Sequence, residues 1–164
     1  MGASNTSGGR RDQPSHYIFV ANRLEGDDMV RARTILERLA GRGLWLLNKR
    51  TPFRGRYKPG DLVLFYLAGE GERQFVGQAV LASEVEPATD EERDLLRGLG
   101  IFGFGDRLRL KDVVTWERPV PIAPLIERLA FITNKKYWGH HFRMGAVSIS
   151  AEDYETVLVA RTEG

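Results

Sequence analysis

Between Phe131 and Ala146 the chain reads Phe-Ile-Thr-Asn-Lys-Lys-Tyr-Trp-Gly-His-His-Phe-Arg-Met-Gly-Ala, crowding aromatic rings, two histidines and three permanent cations into one short segment. Rings set among cations suit flat, polar, anionic ligands, because a base can stack on the ring while a phosphate meets the charge. Nucleic acid offers both. A second such mixture lies at Lys49, Arg50, Arg54, Arg56 and Lys58, interleaved with Phe53 and Tyr57. Cations in a loop are often simply solvated, but rings among them make backbone-phosphate contact combined with base stacking a reasonable role. Lys135 and Lys136 extend the set of candidate phosphate contacts.

Enzymatic constellations are sparse. The chain has no cysteine, which removes disulfides, thiolate catalysis and cysteine-based zinc sites together. The histidines are His16, His140 and His141. An adjacent pair on an extended segment points to opposite sides, so no metal site is expected there. Phe102-Gly-Phe-Gly lacks the lysine and the preceding strand of a phosphate loop, and no Gly-x-Ser-x-Gly elbow occurs. Asp61, directly after Pro59-Gly60, reads as a turn stabiliser. No cofactor is implied, and catalysis is not the expected role.

Several aromatic residues have two readings. Trp45 stands directly before Asn48, Lys49 and Arg50, and either packs the core or stacks on a ligand. Trp138 and Phe142, flanked by cations and by His141, are open to the same pair of readings. Trp116 lies in a regular strand pattern and reads as core. Asn22 ends an apolar strand, where its amide either closes a turn or reads a ligand edge through donor and acceptor.

These residues need a scaffold. A chain of 164 residues supports one core, and its composition is that of an ordinary soluble globule. Residues 1–15, nearly free of apolar side chains, are expected to form a disordered tail ahead of a domain over 16–164. No apolar h-region follows Arg10-Arg11, and no apolar run is long enough to span a membrane. The cytoplasm is the default compartment. Net charge is only +2. Distribution matters more, since Glu84, Glu86, Asp90, Glu91, Glu92 and Asp94 form an acidic block apart from the basic loop.

Tyr17-Ile-Phe-Val-Ala predicts a buried strand, and the period of Val30, Ile35, Leu36, Leu39 and Ala40 predicts a helix capped at Asp27 or Asp28 and stopped at Gly41 or Gly43. Leu44-Trp-Leu-Leu predicts a short strand. Lys58-Pro-Gly-Asp is a turn before the core strand Leu62–Leu67, and Gln74–Leu81 is its antiparallel partner. Thr89 with Glu92 forms a capping box, followed by a mobile aromatic loop at Ile101-Phe-Gly-Phe-Gly. One or two strands are expected between Arg107 and Pro119, a short helix between Pro121 and Leu129, and a last helix capped by Ser150. The sum is an α+β domain around a curved or closed antiparallel sheet.

The order of several motifs resembles EVE domains. They are the Tyr-Ile-x-Val-x-Asn opening strand, Trp45 after the glycine that closes the first helix, and Lys-Pro-Gly-Asp before the strand ending in Phe65-Tyr66. Phe75-Val-Gly follows in its partner, then Phe-Ile-x-Asn-Lys-Lys-x-Trp with a His-Phe pair and an acidic terminal helix. The resemblance covers most of the chain after the tail. It implies a PUA-like β-barrel with peripheral helices, related to YTH and ASCH domains, that takes a modified base of DNA or RNA into an aromatic-lined pocket. By motif position, Asn22 faces that pocket, Trp45 closes over the base, Tyr66 lines the floor, and Phe102 and Phe104 form the opposite wall in a loop that varies among relatives. Trp138, His141 and Phe142 either shape the pocket or pack beneath it. Leu46 stands where YTH domains carry a polar residue, so their particular base preference is not carried over.

The resulting expectation is a non-catalytic nucleic-acid reader, with phage defence or epigenetic reading as contexts. Two alternatives remain open. One is an ASCH-like hydrolase of modified nucleosides, which needs Lys49 or Lys111 to meet Glu117. The other is a general RNA-binding module for tRNA or ribosome biogenesis.

Overall fold

The computed structural model describes residues 13–25 and 29–163. The strands are β1 (His16–Ala21), the short pair β2 (Leu24–Glu25) and β3 (Met29–Val30), β4 (Leu44–Leu47), β5 (Leu62–Leu67), β6 (Gln74–Leu81), β7 (Glu86–Pro87), β8 (Asp106–Pro121) and β9 (Ala146–Ile149). Helices α1 (Ala32–Ala40), α2 (Asp90–Arg97) and α3 (Ala151–Glu163) pack around them. The main sheet runs β4-β8-β6-β5-β1-β9, with β7 added along β8. It is a curled, half-barrel α+β fold. The sheet is mixed, not wholly antiparallel: β1 and β5 pair in parallel, His16 opposite Leu62 through Ala21 opposite Leu67. A crossover carrying α1 and β4 separates them, so β5 enters in the same direction as β1.

Both faces of the central strands are covered, which explains their unbroken apolar runs. Alternation sends Tyr17, Phe19, Val63 and Phe65 into one core with Trp45 and α1. It sends Ile18, Leu64 and Tyr66 into a second core with Phe75, Trp116 and Phe142. Trp116 is buried as expected, its Nε1 donating to Gln78 Oε1 at 2.9 Å. In the Phe75-Val-Gly motif, Gly77 lies where β6 bulges against β8, and a Cβ there would fall 2.5 Å from the Val114 carbonyl oxygen.

Most local signals hold. Thr89 and Glu92 form the reciprocal capping box at the start of α2, and Asp61 accepts from the Lys58 N–H at 3.0 Å across the expected turn. Its other oxygen holds the Ser15 N–H at 3.0 Å, so residue 15 belongs to the fold, while residues 1–12 of the expected tail lie outside the described residues. The first helix begins later than its period suggests. Arg31 is the N-cap, Val30 belongs to β3, and the expected caps Asp27 and Asp28 lie outside the described residues. Between Pro121 and Leu129 only one 3₁₀ turn forms, Ala123–Leu125. Ser150 caps α3 through the Asp153 N–H at 3.1 Å. Asp153 itself is buried and accepts the N–H groups of Ala130 and Phe131 at 2.8 and 2.9 Å, anchoring the loop after that turn to the helix. No described helix is long and apolar enough to cross a membrane.

His16 gives the fold a pH dependence. Burial lowers its pKa against the opposing pull of Asp61 and Glu155, with the ring 5.0 Å from that of Tyr154. The native state therefore favours the neutral imidazole, so stability is full above the unfolded value of about 6.5 and falls as pH drops through it. Urea midpoints measured from pH 7.5 to 5.5 are expected to decline less steeply in His16→Gln than in the wild type.

Candidate functional site

A cavity of about 440 Å³ opens where β1 leaves the sheet. Its inner surface is apolar, built from Ile35 and Leu39 of α1, Trp45 and Leu46 of β4, Leu96 of α2, and Phe104. The Ala21 carbonyl accepts the Ala68 N–H at 2.9 Å, and the Val20 N–H donates to the Gly145 carbonyl at 2.9 Å, so Asn22 and Arg23 emerge at the mouth opposite Arg143 to Gly145. Beyond β4, Asn48 closes a tight turn. Its Oδ1 accepts from the Arg50 N–H at 2.9 Å and the Thr51 hydroxyl at 3.2 Å, and Arg54 Nη1 donates to its carbonyl at 3.0 Å. The Asn48 Nδ2 and the whole Asn22 amide have no partner among the described residues, which leaves donors free at the rim. Arg23, Arg50 and Arg143 line this mouth, and among the described residues no carboxylate does.

Trp45 combines its two readings. Only 6% exposed, it stacks on Phe19 with centroids 5.6 Å apart and leans on Phe65 at 5.4 Å. It is a wall of the cavity and a member of the core at once. Phe104, half-buried, is the facing wall. Phe102 is not: it is 68% exposed and lines a neighbouring cavity of about 400 Å³ together with Lys49.

The other expected pocket residues lie elsewhere. Tyr66 is on the opposite face of β5 from Phe65, stacked on Phe142 at 4.1 Å and fully buried, with its pKa raised by that burial. Trp138 meets Phe142 edge-on at 6.1 Å. His140 and His141 sit in a 3₁₀ turn, Trp138–Phe142, rather than on an extended segment. His141 Nε2 accepts the Asn134 N–H at 3.2 Å, and Lys135 Nζ caps the carbonyls of Ile126 and Leu129 at 2.8 and 3.1 Å. The Phe-Ile-x-Asn-Lys-Lys-x-Trp motif is thus a folded buttress, and its contribution to the cavity is to place Arg143, Met144 and Gly145.

Intramolecular partners also thin the candidate phosphate contacts. Arg54 is paired with Asp106, Lys58 with Glu84 at 3.3 Å, and Arg56 lies over the Phe53 ring at 5.4 Å. Lys136 sits over Tyr137 at 5.3 Å. Lys49 and Arg50 remain, joined by Arg143 from the ring-and-cation segment and by Arg23, an isolated loop cation that carries no sequence signal. Lys111 and Glu117 are exposed on β8, and among the described residues no ion pair joins Glu117 to Lys49 or Lys111.

The sequence profile of the EVE domain matches residues 35–160. This chain belongs to the EVE domain family. The match runs from α1 into α3 and includes Trp45, the turn after β4 and the C-terminal buttress. A UPF0310 protein of Bacillus licheniformis is 44% identical over 111 residues, covering 68% of this chain and 72% of that protein. Among solved structures, human THYN1, in complex with DNA containing 5-methylcytosine, is 16% identical with a TM-score of 0.60, covering 90% of this chain and 97% of that chain. The YTH domain of Zygosaccharomyces rouxii MRB1, in complex with N6-methyladenosine RNA, is 14% identical with a TM-score of 0.55, over 89% and 86% of the chains. At these identities the two structures establish a shared fold.

Proposed function

We propose that this EVE domain is a non-catalytic nucleic-acid reader that takes a modified base, extruded from its strand, into the cavity beside Trp45. The observation that carries this reading is one of contrast. An apolar, ring-walled cavity has a mouth holding three guanidinium groups and unpartnered amide donors, with no described carboxylate to repel a phosphate. Its volume lies within the range of small-ligand sites, about 300–1,000 Å³. Extruding a base costs a few kcal/mol, which ring contacts and edge hydrogen bonds restore. A methyl group buried against Leu46 or Ile35 adds about 0.8 kcal/mol. The complexes of THYN1 and of the YTH domain, each with a methylated nucleic acid, support the same reading.

The test is titration of the protein against matched single- and double-stranded DNA and RNA oligonucleotides carrying unmodified, methylated or hydroxymethylated bases, at two salt concentrations. A preference for one modified base that survives the higher salt is expected. Salt-sensitive binding with no base preference would reassign the domain to general RNA or DNA binding.

A further inference from the structure

Beside the cavity at Trp45 lies the second one, between β4, α2 and residues 101–105, with Leu47 and Ile101 beneath it. We propose that it is a subsite for the nucleotide next to the extruded base, with Phe102 as the stacking platform and Lys49 as the phosphate contact, a role that rests on the base-reading assignment of the first cavity.

Phe102 is a large ring left 68% exposed at the edge of a cavity. The loop that carries it is kept open by glycine. Gly100 and Gly103 have φ of 80° and 95°, and a Cβ at Gly103 or Gly105 would meet nothing within 4 Å. The ring can therefore be approached without displacing protein atoms. Stacking of this kind tolerates any base, because every base has a π face.

The two cavities adjoin. Phe104 lines both, so a single ring separates them. Lys49 and Arg50, consecutive in the chain, each line one cavity, and neither side chain has an ion-pair partner among the described residues. The other charges around the second cavity are occupied. Arg93 is held by Asp90 and by the Ala88 carbonyl at 2.8 Å, and Asp106 by Arg54, while Arg97 is ion-paired with Asp94 at 3.2 Å and donates from Nη2 to the Asp90 carbonyl at 3.3 Å, its buried Nε making no hydrogen bond among the described residues. Lys49 is the cation left to meet a phosphate there.

The test uses fluorescein-labelled single-stranded DNA heptamers with a central 5-methylcytosine or N6-methyladenine, and RNA counterparts, each also made with abasic sites on both sides of the central base. Phe102→Ala is expected to weaken binding of the intact heptamers by about tenfold and to leave the abasic-flanked ones unchanged. Lys49→Gln is expected to weaken both sets. Wild-type affinity for Phe102→Ala, or an equal loss on the abasic-flanked probes, would overturn the subsite. Binding that is indifferent to the central base and survives Trp45→Phe, yet still drops for Phe102→Ala on intact strands alone, would remove the base-reading assignment and keep Phe102 as a platform. Failure of the wild type to bind any heptamer in low salt would remove both.

Discussion

Replacing Arg23, Arg50 and Arg143 together by Gln is expected to weaken binding to every oligonucleotide about 100-fold and to leave the ranking of modified over unmodified bases intact. The three guanidiniums sit at the cavity mouth, and all three residues are exposed. The contact recorded for Arg143 is a 3.4 Å approach of Nη1 to the His140 ring. Their loss should thus cost the fold under about 0.5 kcal/mol. If each phosphate contact is worth roughly 1 kcal/mol net, three account for a factor of about 100. Counterion release sharpens the expectation. Each single-strand contact contributes about −0.7 to the slope of log K against log salt, so the triple variant should flatten that slope by roughly 2. Fluorescence anisotropy at four salt concentrations measures both quantities. An unchanged slope would mean that the strand does not cross this mouth, and loss of base preference would mean that an arginine reads the base rather than its backbone.

Trp45→Ala is expected to lower unfolding free energy by about 3–5 kcal/mol as well as to abolish preferential binding. The indole is almost wholly enclosed between Phe19 and Phe65, so truncation opens a void in the core and breaches the cavity wall in one step. Loss of binding by this variant alone would therefore carry little information. Trp45→Phe separates the two effects, because a ring remains against Phe19. It should recover most of the stability, measured by urea titration, while base preference measured on fully folded protein still falls. Preference equal to wild type would mean that Trp45 serves the core and that Phe104 and the aliphatic side chains of α1 form the working surface of the cavity.

The scaffold was largely legible in the sequence, and the site only partly. Apolar runs at Tyr17–Ala21, Leu62–Leu67 and Gln74–Leu81 identify strands because length, ring content and flanking turns agree. The same runs hide orientation: when both faces of a strand are buried, nothing in the residues says that Phe65 rather than Tyr66 faces Trp45. Charge pairing is hidden for a related reason. A cluster such as Lys49 to Lys58 looks uniformly basic in one dimension, yet Arg54 and Lys58 are matched by Asp106 and Glu84, which are distant in sequence. Arg23, inconspicuous in its own loop, meets Arg143 only through the pairing of β1 with β9. Motif density was misleading as well. The segment from Phe131 to Phe142, richest in rings and charge, spends part of them on its own folding, with Asn134, Lys135 and His141 satisfying backbone groups while Lys136, Tyr137 and His140 stay exposed.

β1 takes one neighbour, β5, by a parallel crossover and the other, β9, from the far side of the chain. On a ribosome, β1 must therefore wait with both edges unpaired until β5 emerges, and with one edge open until β9 follows. Such long-range pairing makes folding slow and leaves an apolar strand available to wrong partners in the interval. The cavity inherits this order of events: its Gly145 edge is held by the Val20 N–H, so the mouth is incomplete until the segment leading into β9 has reached β1.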